Sequence, residues 1–121
     1  MTTAHLGPTA EERNAIIALD VDGPLVMINL LRFKPDGGAE TYARYGQLAA
    51  PFLARFGANI RFAGRGRATF IGGETWDEVV LVEYPSKQAF LDMVGAPGYP
   101  SEVRAAALLD SRLYCTTEGL L

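Results

Sequence analysis

The stretch from Trp76 to Val94, WDEVVLVEYPSKQAFLDMV, constrains the fold more than any other part of the chain. Its first half is an apolar run rich in valine, which is typical of a buried strand. Pro85 and Ser86 follow at once, and these residue types start helices, with the serine as the N-cap. The segment therefore predicts a central strand from Glu78 to Tyr84 that passes directly into a helix.

A short helix and a strand are predicted in the N-terminal part of the chain, before this segment. Thr9 precedes Glu12 by three residues, a spacing that forms a capping box, and we expect a short helix from about Ala10 to Leu19. The run LVMINLLRF, from Leu25 to Phe33, is almost continuously apolar. Such a run is typical of a strand that is covered on both faces.

A long amphipathic helix comes next. Apolar side chains recur at spacings of three and four at Tyr45, Leu48, Ala49, Phe52 and Phe56. Gly57 can end this helix in a left-handed conformation. A strand with one polar face is then predicted from Ile60, in a hairpin with the central strand, and a last helix near residues 101–107 precedes a closing strand over residues 109–117.

The predicted order is helix, strand, helix, strand, strand, helix, strand. With right-handed crossovers and uncrossed connections, this order predicts an α+β fold, a ferredoxin-like βαββαβ unit with an extra N-terminal helix. We assign residues 1–23 to an N-terminal helical extension and residues 24–121 to the ferredoxin-like domain. Two helices cover one face of the sheet, so we expect a second copy of the chain to cover the other face in an isologous homodimer.

Composition excludes several classes of partner. The chain has 121 residues and a net charge of -3, which provides no basic surface for nucleic acid. Its N-terminus has no apolar signal core, and no apolar run approaches the roughly 20 residues that cross a bilayer, so we expect no membrane partner. One cysteine and one histidine cannot make an ordinary zinc site, and His5 is badly placed as a haem ligand. We therefore expect a cytoplasmic protein without a metal or cofactor.

The chain resembles the domain of unknown function (DUF) 1330 family, a branch of the dimeric α+β barrel superfamily. The resemblance is carried, in order, by VMINLLRF, YARYGQLAAPFLARFG, WDEVVLVEYPS, APGYPSEVRAA and SRLYCTTEG. It implies a dimeric α+β barrel and leaves the activity open. Cofactor-independent monooxygenases of the same superfamily resemble the chain in fold, which implies a small-molecule site and, for an enzyme, oxygenation, isomerisation or decarboxylation of an aromatic or polyketide-like compound.

Polar residues on the predicted strands are the first candidates for a site. Asn29 is the polar residue within LVMINLLRF, and a buried amide without partners costs about 1–3 kcal/mol, so it either bonds within the fold or contacts a ligand. Glu83 is predicted to lie in a partly apolar setting, where it can serve as an acid or base. Arg32 and Arg112 are predicted on neighbouring strands, so the alternative is a structural ion pair between Glu83 and one of these arginines.

Three arginines form a second group of candidates. Arg61, Arg65 and Arg67 have the same parity and are predicted to form a row on one face of a strand. An anionic ligand can bind such a row through Arg65 and its neighbours. Charged side chains also protect edge strands from aggregation, which is the alternative interpretation.

Aromatic side chains form the third group. Tyr42, Tyr45, Trp76 and Tyr99 either line a pocket between the sheet and its helices or fill the core. The sequence thus supports a homodimer that binds a small molecule, with Asn29 orienting it and Glu83 or Arg112 managing its charge. The alternative is a non-catalytic binding or assembly module with a filled core. A cavity of about 300 Å³ or more, lined by Asn29 and Glu83, would favour the first reading.

Overall fold

The computed structural model of the protein describes residues 4–119. The elements in chain order are α1 (Ala10–Ala18), β1 (Leu25–Phe33), α2 (Gly38–Arg55), β2 (Asn59–Arg65), β3 (Glu78–Tyr84), α3 (Lys87–Val94), α4 (Ser101–Ala107) and β4 (Leu108–Thr116). The predicted strands and helices are all present. None of the helices within residues 4–119 combines the length and the apolar character needed to cross a bilayer.

The four strands form one antiparallel sheet in the order β2-β3-β1-β4. The apolar strands β1 and β3 lie at the centre, and β2 and β4 lie at the edges. This arrangement, with an added helix at the N-terminus, confirms the predicted α+β ferredoxin-like fold. It also confirms β2 as an edge strand and β3 as a central one.

Local hydrogen bonds explain where the helices begin. Thr9 Oγ1 accepts from the backbone N–H of Glu12 at 3.0 Å, and a Glu12 carboxylate oxygen accepts from the backbone N–H of Thr9 at 2.9 Å. This is the predicted capping box. Ser86 Oγ accepts from the backbone N–H of Ala89 at 3.0 Å and caps α3 directly after Pro85.

One face of the sheet carries the core, and we call it the helix-covered face. Burial alternates along β1, where Leu25, Met27 and Leu31 are all at most 3% exposed. Residues of β3, α2, α3 and α4 pack against these side chains. Because successive strand residues point to opposite sides, Asn29 belongs to the same face.

The opposite side, which we call the open face, presents an apolar row across all four strands. Phe62, Leu81, Ile28 and Tyr114 are neighbours in register from β2 to β4. Phe62 is 54% exposed and Tyr114 is 53% exposed. Helix α1 has no buried residue and therefore does not cover this row. One chain thus leaves the second face of β1 open, as expected for a sheet whose other face is predicted to be covered by a second copy.

Candidate functional site

Asn29 is held by two hydrogen bonds that join the sheet to helix α4. The side chain is 8% exposed, and its amide Nδ2 donates to the backbone carbonyl of Val80 at 3.1 Å. Its carbonyl Oδ1 accepts from Nη2 of Arg104 at 3.1 Å. Asn29 therefore orients a guanidinium group that sequence reasoning did not single out.

Tyrosine rings gather around this pair. The ring centroids of Tyr42 and Tyr45 are 5.3 Å apart, and those of Tyr45 and Tyr99 are 6.2 Å apart in an edge-to-face arrangement. The hydroxyls of Tyr45 and Tyr99 are hydrogen-bonded to each other. We use the name Arg104 cluster for Asn29, Tyr42, Tyr45, Tyr84, Tyr99 and Arg104.

Burial keeps the hydroxyls of Tyr42, Tyr84 and Tyr99 protonated. Burial raises the pKa of Tyr42 to about 12, and the positive charge of Arg104 opposes that shift. Burial also raises the pKa of Tyr84 and of Tyr99, and the neighbouring Tyr45 adds to both shifts. At neutral pH these three hydroxyls are therefore uncharged hydrogen-bond donors.

The charge of Arg104 is not neutralised by the protein around it. Its side chain is half-buried, and no carboxylate within residues 4–119 lies at ion-pair distance from its guanidinium. Arg32 and Arg112, which are also half-buried, each lie within 3.9 Å of a carboxylate oxygen of Asp110. The Arg104 cluster therefore carries a positive charge on the helix-covered face.

Glu78 is a second residue that sequence reasoning missed. It lies opposite Leu31 in register and shares the parity of Val80, which places it on the helix-covered face with Asn29. Burial raises the pKa of its carboxyl, while Arg65, directly opposite on β2, acts against the shift. The period-two pattern of β3 would have identified Glu78, because it shares the phase of the buried valines.

Glu83 lies on the other side of the sheet. It is opposite Val26 in register and therefore on the open face, so a pocket lined by both Asn29 and Glu83 does not exist. Its carboxylate pairs with Arg61 at 2.9 Å. The expectation of a partner in Arg32 or Arg112 is wrong, because the register places both arginines nearer to the other end of the open face.

Arg32 and Arg112 stack on Trp76 instead. Their guanidinium carbons lie 4.7 and 5.0 Å from the centroid of its ring. Arg112 also bonds Asp110 at 3.0 Å and Glu74 at 3.1 Å. Arg32, Glu74, Asp110 and Arg112 line a cleft of about 320 Å³. Trp76 is thus separated from the tyrosines with which it was grouped, and Arg112 is already neutralised.

The predicted row of three arginines is also wrong. The register of β2 shifts between Ile60 and Phe62, so Arg61 sits in a bulge and loses the parity of Arg65. The strand ends at Arg65, and Arg67 lies beyond it. Of the three arginines, Arg65 alone is paired in the strand register, opposite Glu78.

A second cleft, of about 430 Å³, opens between the ends of α2 and α3. It is lined by Arg55, Phe56, Asp92, Gly95, Ala96 and Pro97. Neither of the two clefts includes Asn29, Glu83 or Arg104. The cavity that would favour small-molecule binding over a filled core is therefore not found at Asn29 and Glu83, and the Arg104 cluster is open to solvent only at its half-exposed edge.

The chain is similar to proteins whose function is unknown. The model of the family described as "Domain of unknown function (DUF1330)" matches residues 37–113. A protein of unknown function from Rhodopseudomonas palustris is 37% identical, with a TM-score of 0.89 over 98% of this chain and 100% of that chain. None of the curated proteins compared with the chain matches it.

Two more distant structures are similar in fold alone. A dimeric ferredoxin-like protein of unknown function from Thermobifida fusca is 12% identical, with a TM-score of 0.55 over 84% of this chain and 96% of that chain. A dabb family protein with a ferredoxin-like fold from Mesorhizobium loti is 13% identical, with a TM-score of 0.58 over 80% and 98% of the two chains. This chain belongs to the DUF1330 family, as shown by the match of the family model to residues 37–113 and by the 37% identity to the Rhodopseudomonas palustris protein.

Proposed function

We propose that this chain is a homodimeric small-molecule-binding protein whose ligand contacts the Arg104 cluster of each protomer. The observation that carries the proposal is the half-buried guanidinium of Arg104, which Asn29 orients and no described carboxylate neutralises. Partial burial of an unpaired charge is unfavourable, and a bound ligand that supplies an acceptor would offset that cost.

The homodimer is supported by the open face. The apolar row from Phe62 to Tyr114 crosses all four strands, and α1 leaves it uncovered. A second copy presents the same row, and two such sheets packed face to face bury both. Structures of similar fold are described as dimeric, which agrees with this arrangement.

A catalytic form of this function, cofactor-independent oxygenation or isomerisation, is favoured by one observation. Glu78 brings a carboxylate with a raised pKa to the same face as Asn29. Such a carboxylate can take a proton from carbon while Arg104 and the tyrosine hydroxyls stabilise the resulting enolate oxygen. Proton NMR in D₂O with small aromatic β-dicarbonyl compounds tests this. Exchange no faster than in buffer, or exchange unchanged in Glu78→Gln, contradicts it.

Native mass spectrometry of the freshly purified protein tests the binding function, because it counts subunits and weighs any retained ligand. We expect two chains and either a bound small molecule or a protein that small aromatic compounds stabilise thermally. Arg104→Met should abolish this stabilisation, whereas Arg44→Met, an exposed arginine on α2, should preserve it. A dimer that no compound stabilises supports the assembly module with a filled core, and a monomer at micromolar concentration contradicts the dimer.

A further inference from the structure

We propose that the group bound at Arg104 is a carboxylate carried by a small aromatic ring. This inference rests on the proposed function, since it names the chemical class of the ligand that the same site takes. It follows from the donors of the Arg104 cluster, from its net charge and from the rings that surround it.

The donors point to a carboxylate. A guanidinium presents five N–H donors in a planar fork that matches the two oxygens of a carboxylate. Asn29 occupies Nη2 of Arg104 through one hydrogen bond at 3.1 Å and holds the plane of the fork. The hydroxyl oxygen of the half-buried Tyr42 accepts a second N–H of Arg104, and the three N–H groups that remain are sufficient for a bidentate contact with a carboxylate.

The net charge points to a single negative charge. Asn29 and the hydroxyls of Tyr42, Tyr84 and Tyr99 are neutral, and Arg104 supplies the positive charge of the cluster. A phosphate ester carries nearly two negative charges at neutral pH and needs more than one cation beside it. The negative charge of Glu78, which acts on Tyr42 of the cluster, further disfavours a dianion. A monoanionic carboxylate is therefore the matching ligand.

The aromatic side chains in and beside the cluster indicate that the ligand contains a ring. Tyr99 packs edge-to-face on Phe52 with centroids 5.6 Å apart, and Tyr42 packs on Phe33 at 5.4 Å. With Tyr45 between them, these rings form a continuous aromatic surface beside the guanidinium. A flat ligand ring extends this edge-to-face packing while its carboxylate reaches Arg104.

The test compares benzoate with benzamide, which has the same shape and no charge. Isothermal titration at low ionic strength should give a Kd for benzoate about tenfold below that for benzamide, the effect of one charge-assisted contact. Arg104→Met and Arg104→Gln should both erase this preference, and Arg44→Met should keep it. Two substitutions are used so that one poorly folded variant does not decide the result.

The outcomes separate this inference from the proposed function. Equal binding of benzoate and benzamide, lost in Tyr45→Ala, overturns the carboxylate and leaves a small-molecule site. Inorganic phosphate that binds as tightly as benzoate also overturns the carboxylate. No binding of any probe at millimolar concentration, together with no retained ligand in native mass spectra, overturns both.

Discussion

The hydrogen bond between Asn29 and Arg104 allows the most direct test of the site. In Asn29→Ala, the Val80 carbonyl loses a neutral donor at 3.1 Å, which is worth about 1 kcal/mol. Arg104 loses a charge-assisted acceptor at 3.1 Å, worth about 1–2 kcal/mol once its partial exposure to solvent is considered. We therefore expect a loss of about 2–3 kcal/mol in the free energy of unfolding.

A double-mutant cycle isolates the contact itself. Urea unfolding of the wild type, Asn29→Ala, Arg104→Met and the double variant, at one fixed protomer concentration, gives the coupling free energy between the two side chains. We expect a coupling of about 1 kcal/mol or more. Asn59→Ala, an exposed asparagine at the start of β2, is the matched control and should change stability by no more than about 0.5 kcal/mol.

Additivity would refute the reasoning. If the two single losses sum to the loss in the double variant within about 0.5 kcal/mol, Asn29 does not hold Arg104. The guanidinium would then be free to turn toward solvent, and the argument for an oriented charge would fail. A loss in Asn29→Ala no larger than that of Asn59→Ala would also contradict it.

Three further predictions concern the core, the ionisation of Glu78 and the open face. Leu31→Ala, at a side chain that is 0% exposed, should lower the free energy of unfolding by about 2–5 kcal/mol, and a loss below about 1 kcal/mol would contradict the packing described. Burial raises the pKa of Glu78, so ionisation of this carboxyl destabilises the fold as the pH rises from the ordinary pKa of a glutamate to the raised one. Glu78→Gln should therefore raise the Tm at pH 7 but not below pH 4.5. Equal shifts of the Tm at both pH values would argue against a raised pKa. Leu81→Glu on the open face should convert the dimer to a monomer in light scattering, whereas the exposed control Leu48→Glu should remain dimeric.

Parts of the site were readable from the sequence. Asn29 stood out because it interrupts an apolar run, and Tyr42, Tyr45 and Tyr99 stood out as aromatics near the predicted helix–sheet interface. Arg104 did not, because it lies in a short helix and its partner Asn29 is 75 residues away. Glu78 was not predicted, because Glu78 and Glu83 lie on the same strand and only the alternation of faces along that strand distinguishes them.

The sequence by itself determined the local structure of this protein. Capping residues, apolar periodicity and the proline after β3 act over a few neighbouring residues, and they specified the helices, the strands and their order. The tertiary structure decided which residues share a face and which charges meet. Strand register and the bulge at Arg61 depend on hydrogen bonds between distant segments, and a shift of one residue moves a side chain to the opposite face. For that reason the carboxylate of Glu83 and the amide of Asn29 are on opposite sides of the sheet, while Arg104 reaches Asn29.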